Sequence, residues 1–217
     1  RHGAGAALLK DLPKMQQMAA EIVKAVNVPV TAKTRLGWIE IDKPIVEAAL
    51  RLQDAGIAAL AIHGRTRDQL YKGKADWKLI GEVKNHPEIS IPIIGNGDIT
   101  GGEKAKQLLK QTGVDALMIG RPSIGRPWIF TEVKHYLETG EQLPSPTVAE
   151  IVENVKEQLQ LNLDWKDNER SAILMMRRHF AKYFPGLPHF RELRIQLLRA
   201  ETYDEVNSIL EKISEFY

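Results

Sequence analysis

An α/β fold, in which a parallel sheet precedes an all-helical region, is predicted by three features of this 217-residue sequence. Between residues 10 and 121, short segments that are apolar almost throughout alternate with amphipathic helical ones. That is the pattern of a parallel sheet covered by helices. Each of the four strand-like segments carries polar or glycine-containing residues at its C-terminal end. Beyond about residue 147 the strand signal stops and only helical periodicity continues.

Taken in order, Asp11 to Val26 reads as a helix, with Leu12, Met15, Met18, Ala19, Ile22, Val23 and Val26 close to a 3.6-residue period. "VPVTAKTRL" (Val28 to Leu36) is rich in β-branched residues and ends on charge, a first strand. Ile45 to Ala55 is a second helix, closed by Gly56. "AALAIHGRT" (Ala58 to Thr66) is the second strand and Trp77 to Asn85 the third helix. "IPIIGNGD" (Ile91 to Asp98) is the third strand, and its Asn-Gly reads two ways. It is a strong hairpin signal, and it is also a bare turn able to hold an anion at a helix N-terminus. The next residues, "ITGGEKAKQLLKQTG", form a helix over Gly102 to Thr112 and not a returning strand, which decides against the hairpin. "ALMIGR" (Ala116 to Arg121) is the fourth strand.

The polar ends are Lys33 and Arg35, His63-Gly64-Arg65-Thr66, Asn96-Gly97-Asp98, and Gly120-Arg121. In a (β/α)₈ barrel the site is assembled from such ends, whereas an open sheet uses only those near a switch point. Four consecutive polar ends predict the barrel. Four strands make half of one, since a closed barrel takes about 250 residues. The expected fold is therefore the C-terminal half of a TIM barrel, its first strands lying outside a chain that opens at Arg1. A polar, proline-containing stretch, "ETGEQLPSPT" (Glu138 to Thr147), then separates an expected domain 1–140 from a helical domain 141–217. Within the latter, Thr147 with Glu150, and Thr202 with Glu205, form capping boxes opening helices at Val148 and at the last segment. Helices over Glu169 to Tyr183 and Phe190 to Ala200 lie between them.

Composition narrows the function classes. A net charge of +2 leaves any nucleic-acid role to local clustering. The absence of cysteine excludes disulfides, cysteine metal sites and a cysteine nucleophile within this chain, and fits a cytoplasmic protein. No run is long enough for a membrane helix.

Asn96, Gly97 and Asp98 suit a phosphate or ribityl group at a helix N-terminus, and Gly120 with Arg121 adds an amide and a guanidinium. Tight turns with a solvated arginine would read the same way. Lys33 inside an apolar strand suits stabilisation of negative charge, or else a stem reaching to water. Arg35 alternates onto its face. His63 is a satisfied core residue or a ligand group, and Arg65 and Thr66 lie on the loop after it, where substrate contacts belong. Trp38, Trp77 and Trp128 read as packing residues. Residues 167–200 carry seven Arg or Lys, Arg177 and Arg178 among them, against three acids, a local balance of +4. That is a footprint for an RNA backbone or a solvated helix face.

With these residues placed, the sequence resembles the tRNA-dihydrouridine synthases, in particular their bacterial B-type branch. The matching stretches are "GAGAALL", "PVTAKTRLGW", "AIHGRTRDQLYKGKADW", "IPIIGNGDI", "ALMIGRPSIGRPWIF" and "MRRHFAKYFPGLPHFRELR", which span almost the whole chain. The resemblance implies an FMN-containing barrel followed by a helical tRNA-binding domain, with NADPH reducing the flavin and uridine in tRNA reduced to 5,6-dihydrouridine. By motif match, Lys33 and His63 would lie at the flavin ring, and Asn96, Gly97, Asp98, Gly120 and Arg121 at its phosphate end. Arg35, Arg65 and Thr66 would face the uridine, and Arg177 and Arg178 the tRNA. The family's proton-donating cysteine lies shortly before "GAGAALL", outside this chain, so the chain is expected to be inactive alone and, with open half-barrel edges, either to associate with another copy or with the missing half or to be marginally stable. The residues also admit two other readings: an FMN barrel acting on a small metabolite, and a non-catalytic RNA-binding module.

Overall fold

A computed structural model of the chain describes residues 3–217. After a 3₁₀ turn at Gly5–Lys10 the order is α1 (Leu12–Ala25), β1 (Thr31–Arg35), α2 (Ile45–Asp54), β2 (Ala59–His63), α3 (Trp77–Lys84), β3 (Ile93–Asn96), α4 (Gly102–Thr112), β4 (Ala116–Met118) and α5 (Ile129–Thr139). Then come α6 (Val148–Trp165), α7 (Glu169–Tyr183), α8 (Arg191–Arg199) and α9 (Tyr203–Phe216). The chain divides into two compact units. One takes the chain up to Gly120 together with Glu132–Glu141, the other Arg121–Thr131 with Gln142–Tyr217.

The first unit is a four-stranded sheet in the order β1-β2-β3-β4, parallel throughout, the α/β architecture of a partial barrel. Its helices start and stop on local chemistry. Asp11 accepts from the Lys14 amide at 3.1 Å to open α1, and Asp76 from the Leu79 amide at 3.2 Å to open α3. Gly113, at φ +70°, closes α4 in the left-handed conformation.

The two faces of the sheet differ. Leu60, Ile62 and Ile93 point one way and are completely buried, beside the buried faces of α2 (Ile45, Ala48, Leu52) and α3 (Trp77, Ile80). Burial of each such side chain stabilises by about 1.5–3 kcal/mol. On the opposite face Ile94 and Met118 are half-buried and Ala116 is exposed. This second face is the one that would point into a closed barrel.

The strands are shorter than the apolar runs that announce them. Pairing begins at Thr31, three residues later than expected, and β4 ends at Met118, because beyond the row Arg35–His63–Asn96–Met118 the chain turns into loops. Helix α5 is an element the sequence reading does not contain. The prolines and glycines of "RPSIGRPW" mask its start, and its Tyr136 explains a glycine instead. A Cβ at Gly102 would overlap the Tyr136 side chain, so this glycine permits helix contact.

The second unit is all-helical around a sealed core. Val155 of α6, Ile173, Met176 and Phe180 of α7, Leu197 of α8 and Leu210 of α9 are among its buried members. Both capping boxes are formed, Thr147 with Glu150 and Thr202 with Glu205. Trp128 packs against this core with its ring 6.1 Å from that of Tyr183, and Trp77 is buried in the first unit. Trp38 differs from both: it is half-buried between loops, with the Lys10 ammonium 4.0 Å and the Arg67 guanidinium 4.9 Å from its ring.

Candidate functional site

Register alone assembles the strand ends. Arg35 pairs with His63, His63 with Asn96, and Asn96 with Met118, so the last residue of each strand lies in one row. Side chains of directly paired residues share a face, and those two apart on a strand share it too. Lys33, Arg35, His63 and Asn96 therefore project from the same open face, with Lys33 opposite Ala61, one layer below the row. Partial burial first, and the neighbouring Arg35 charge second, hold the Lys33 ammonium below its ordinary pKa of 10.5.

The ends are laced together by hydrogen bonds between successive loops. The Leu36 amide donates to the Arg65 carbonyl at 3.2 Å, and the Gly64 amide to the Asn96 carbonyl at 3.0 Å. The Asn96 side-chain amide donates to the Met118 carbonyl at 2.7 Å, and Trp77 Nε1 to the Gly97 carbonyl at 2.9 Å. Gly97 has φ +130°, and a Cβ there would stand 2.6 Å from that of Ala75, so only glycine fits. Asp98 comes next in the left-handed region, φ +54°, a conformation that aspartate tolerates better than most residues.

Arg65 and Thr66 are placed differently from what their loop position predicts. Arg65 is 2% exposed and Thr66 0%. The Arg65 guanidinium donates to the carbonyls of Lys72 (3.0 Å) and Gly73 (2.6 Å) and to Asp98 Oδ2 (2.7 Å), and its Nη1 lies 3.4 Å from His63 Nε2. Thr66 Oγ1 donates to Asp68 Oδ1 at 2.6 Å, and its amide to Gln69 Oε1 at 2.7 Å. Both residues hold the loop together from within, where they were expected to face a substrate. The reason is electrostatic: a buried guanidinium needs acceptors, and this loop folds two carbonyls and a carboxylate around one.

Arg35 is half-buried. Its Nη1 donates to the carbonyls of Thr66 (2.7 Å) and Leu70 (2.9 Å), and its guanidinium lies 5.8 Å from the Tyr71 ring. Tyr71 is a residue the sequence reading passes over. It is exposed, with its ring 6.3 Å from that of His63. An aromatic that stays exposed in a loop after a strand end is the available signal, legible only once the loop is folded. Gly120 ends the first unit and Arg121 begins the second.

In the helical unit, Arg178 is exposed while Arg177 is half-buried with its Nε lacking a hydrogen-bond partner among the described residues. Arg170 is engaged with Glu201 at 2.9 Å, which removes one charge from the basic footprint. His179 is held below its ordinary pKa by burial and then by Arg178. Tyr183, which donates to Gln158 Oε1 at 2.6 Å, is pushed up to about 12 by burial and then by Glu157. No group of three or more metal-ligating side chains occurs among the described residues.

A parallel sheet covered by helices on one face, its polar strand ends gathered in one row, is the framework of barrel enzymes that work at their strand C-termini. Within that class the chain belongs to the dihydrouridine synthase family, whose model (Dihydrouridine synthase, Dus) matches residues 1–216. Three similar relatives are each called tRNA-dihydrouridine synthase B. That of Pseudomonas aeruginosa is 44% identical over 202 residues, covering 93% of this chain and 60% of its own. That of Pseudomonas putida is 44% identical, covering 88% and 56%. That of Xanthomonas axonopodis is 42% identical, covering 93% and 60%. The chain thus spans about 60% of the length of the curated relatives it matches.

Proposed function

We propose that this chain contributes the phosphate-side cofactor residues and the tRNA-binding unit of an enzyme that reduces uridine in tRNA to 5,6-dihydrouridine, with FMN as cofactor and NADPH as reductant. Family membership supports the reaction class. The single row Arg35–His63–Asn96 supports the location.

The residues fit a flavin nucleotide. Lys33, His63 and Asn96 share one face, and beside them runs a bare turn at Gly97 that a side chain would block. Bound there, FMN would supply the hydride for uridine C6. Lys33, less basic than an ordinary lysine, places a cation beside developing negative charge. His63 flanks it on the next strand. The backbone of Asn96, Gly97 and Asp98, at the approach to α4, offers amides to the phosphate end, and Gly120 and Arg121 join it on motif grounds. Arg35 lies toward the substrate, and Arg177 and Arg178 take the tRNA backbone as positive charges. A uridine must leave the tRNA stack to reach such a site. The proton donor to C5 that the resemblance implies is a cysteine, and this chain has none. The reading places the protein in the cytoplasm, and among the described residues no helix is long and apolar enough to cross a membrane.

Titration of the chain with FMN, followed by quenching of flavin fluorescence, tests the reading. Saturable binding is expected, weakened about tenfold by Lys33→Ala, as for loss of one charge-assisted contact. Arg177→Ala with Arg178→Ala should weaken tRNA binding and flatten its salt dependence while leaving flavin affinity intact. No flavin uptake would remove the oxidoreductase reading. Unchanged tRNA binding would favour a small-metabolite substrate.

A further inference from the structure

Among the described residues Arg65 is the most voluminous side chain with no more than 2% exposure, and the proposed chemistry leaves it without a role. Its environment is built. One guanidinium reaches the Lys72 and Gly73 carbonyls of the loop after β2, the Asp98 carboxylate of the turn after β3, and the ring of His63 at the end of β2. Asp98 in turn accepts the Ala75 amide at 2.8 Å through the same Oδ2 that takes Arg65. The carboxylate thereby closes a ring of contacts around the turn at Gly97, where an added Cβ would collide with that of Ala75.

A guanidinium carries five donors and no acceptor, and it stays charged at any pH a protein survives. Its 3.4 Å contact with His63 Nε2 therefore has one allowed direction: Nη1 donates and Nε2 accepts. A ring nitrogen that accepts carries no proton, so the ring's N–H is Nδ1. An imidazolium would set an N–H against the guanidinium, two donors and two positive charges face to face.

We infer that Arg65 is a positioning residue that fixes His63 as the neutral Nδ1–H tautomer and, through Asp98, holds the Asn96–Asp98 turn against the loop after β2. His63 then meets whatever lies in the row as an oriented, uncharged hydrogen-bond donor. The positive charge in the row is left to Lys33 and Arg35. Asp98 contributes its backbone there while its carboxylate is engaged by Arg65. The functional consequence for flavin rests on the reading proposed above, whereas the tautomer does not.

The two are separated by measuring them apart. In the full chain labelled with ¹⁵N-histidine and free of flavin, long-range ¹H–¹⁵N correlation reports which His63 nitrogen bears the proton. The Nδ1–H pattern is expected, and an Nε2–H or imidazolium pattern overturns the assignment. Arg65→Met alone would remove the Arg65 charge and leave that of Asp98, so the companion variant is Arg65→Met with Asp98→Asn, which removes both charges. In it His63 should move to a mixture with substantial Nε2–H, and flavin affinity should fall about tenfold, the size of one misoriented hydrogen bond. An unchanged tautomer in the double variant overturns the positioning role, as does a shifted tautomer with wild-type flavin affinity. If the double variant fails to fold, the wild-type pattern still decides the assignment. Absence of flavin binding in the wild type, beside an Nδ1–H His63, would sink the flavin reading and leave the tautomer standing.

Discussion

In the helical unit Phe180, Tyr183 and Ile213 are completely buried, and each lies in one continuous apolar core. In the sheet unit Ile22 is 52% exposed and Val28 68%, and a groove of about 350 Å³ runs between α1 and β1. Met15, Met18 and Ile22 line it from one side, Ala32 and Lys33 from the other. The helical unit gathers one continuous core while leaving Leu161, Trp165 and Phe216 exposed on its surface, whereas the sheet unit has one buried face, one more open face and an end strand, β1, that among the described residues pairs on one side only. Unpaired strand edges and apolar grooves are surfaces that seek partners. The difference separates a unit built around one enclosed core from a unit whose apolar groove and end strand are open to a partner.

The largest expected effect comes from substitutions of similar chemistry placed in the two regions. Phe180→Ala should destabilise the helical unit by about 3–5 kcal/mol, since the cavity left in a sealed core cannot collapse fully. Ile22→Ala should change monomer stability by less than about 0.5 kcal/mol, as for other exposed positions. Urea denaturation of both variants measures this. Equal losses would show that α1 is packed as tightly as α7 and would end the comparison.

A second prediction concerns what Ile22 does instead. The chain should self-associate through the β1 edge and the groove beside it, with sedimentation shifting to larger species as concentration rises. Ile22→Lys together with Met18→Lys should return it to a monomer by placing like charges in the groove. A wild-type chain that stays monomeric at high concentration would mean that the open face is tolerated as it is.

How much of this was legible in the sequence divides along the same line. The helical unit was readable because its signals are local. The Thr147–Glu150 and Thr202–Glu205 boxes are three residues apart, and the stripe Val152, Val155, Leu159 falls on one helix face. The β/α alternation was readable for the same reason. At the strand ends, Lys33, His63 and Asn96 could be placed on one face because a parallel register leaves little freedom. Arg65 was not legible. A solvated loop arginine and a buried one have the same neighbours in sequence, and its ionic partner Asp98 lies thirty-three positions away. Tyr71 escaped likewise, its proximity to His63 arising from a loop fold that no periodicity encodes. Helix α5 was lost behind the prolines and glycines that precede it.

One more difference lies within the sheet itself. Asp115, just before β4, accepts from Lys84 at 2.7 Å and from the Ile93 amide at 2.8 Å, tying the end of α3 to the start of β3 at the rim opposite the candidate site. The Lys84 hydrogen bond, and next the Ile93 amide, hold its carboxyl below the usual 3.8. A carboxylate whose pKa is lower folded than unfolded contributes stability that is complete above the unfolded value and is lost as pH falls through the folded one. Asp115→Asn keeps an acceptor for Ile93 and removes only the charge. The ion pair is partly exposed and so screened by water, and the loss at pH 7 should stay near or below about 1 kcal/mol. Wild type and variant should converge once pH has fallen through the lowered folded-state pKa, where the wild-type carboxyl is protonated too. Urea midpoints measured down this pH series would show it. A gap persisting in acid would assign the effect to packing rather than charge, and this rim would then resemble the sealed helical core more than the charged row at the other end of the strands.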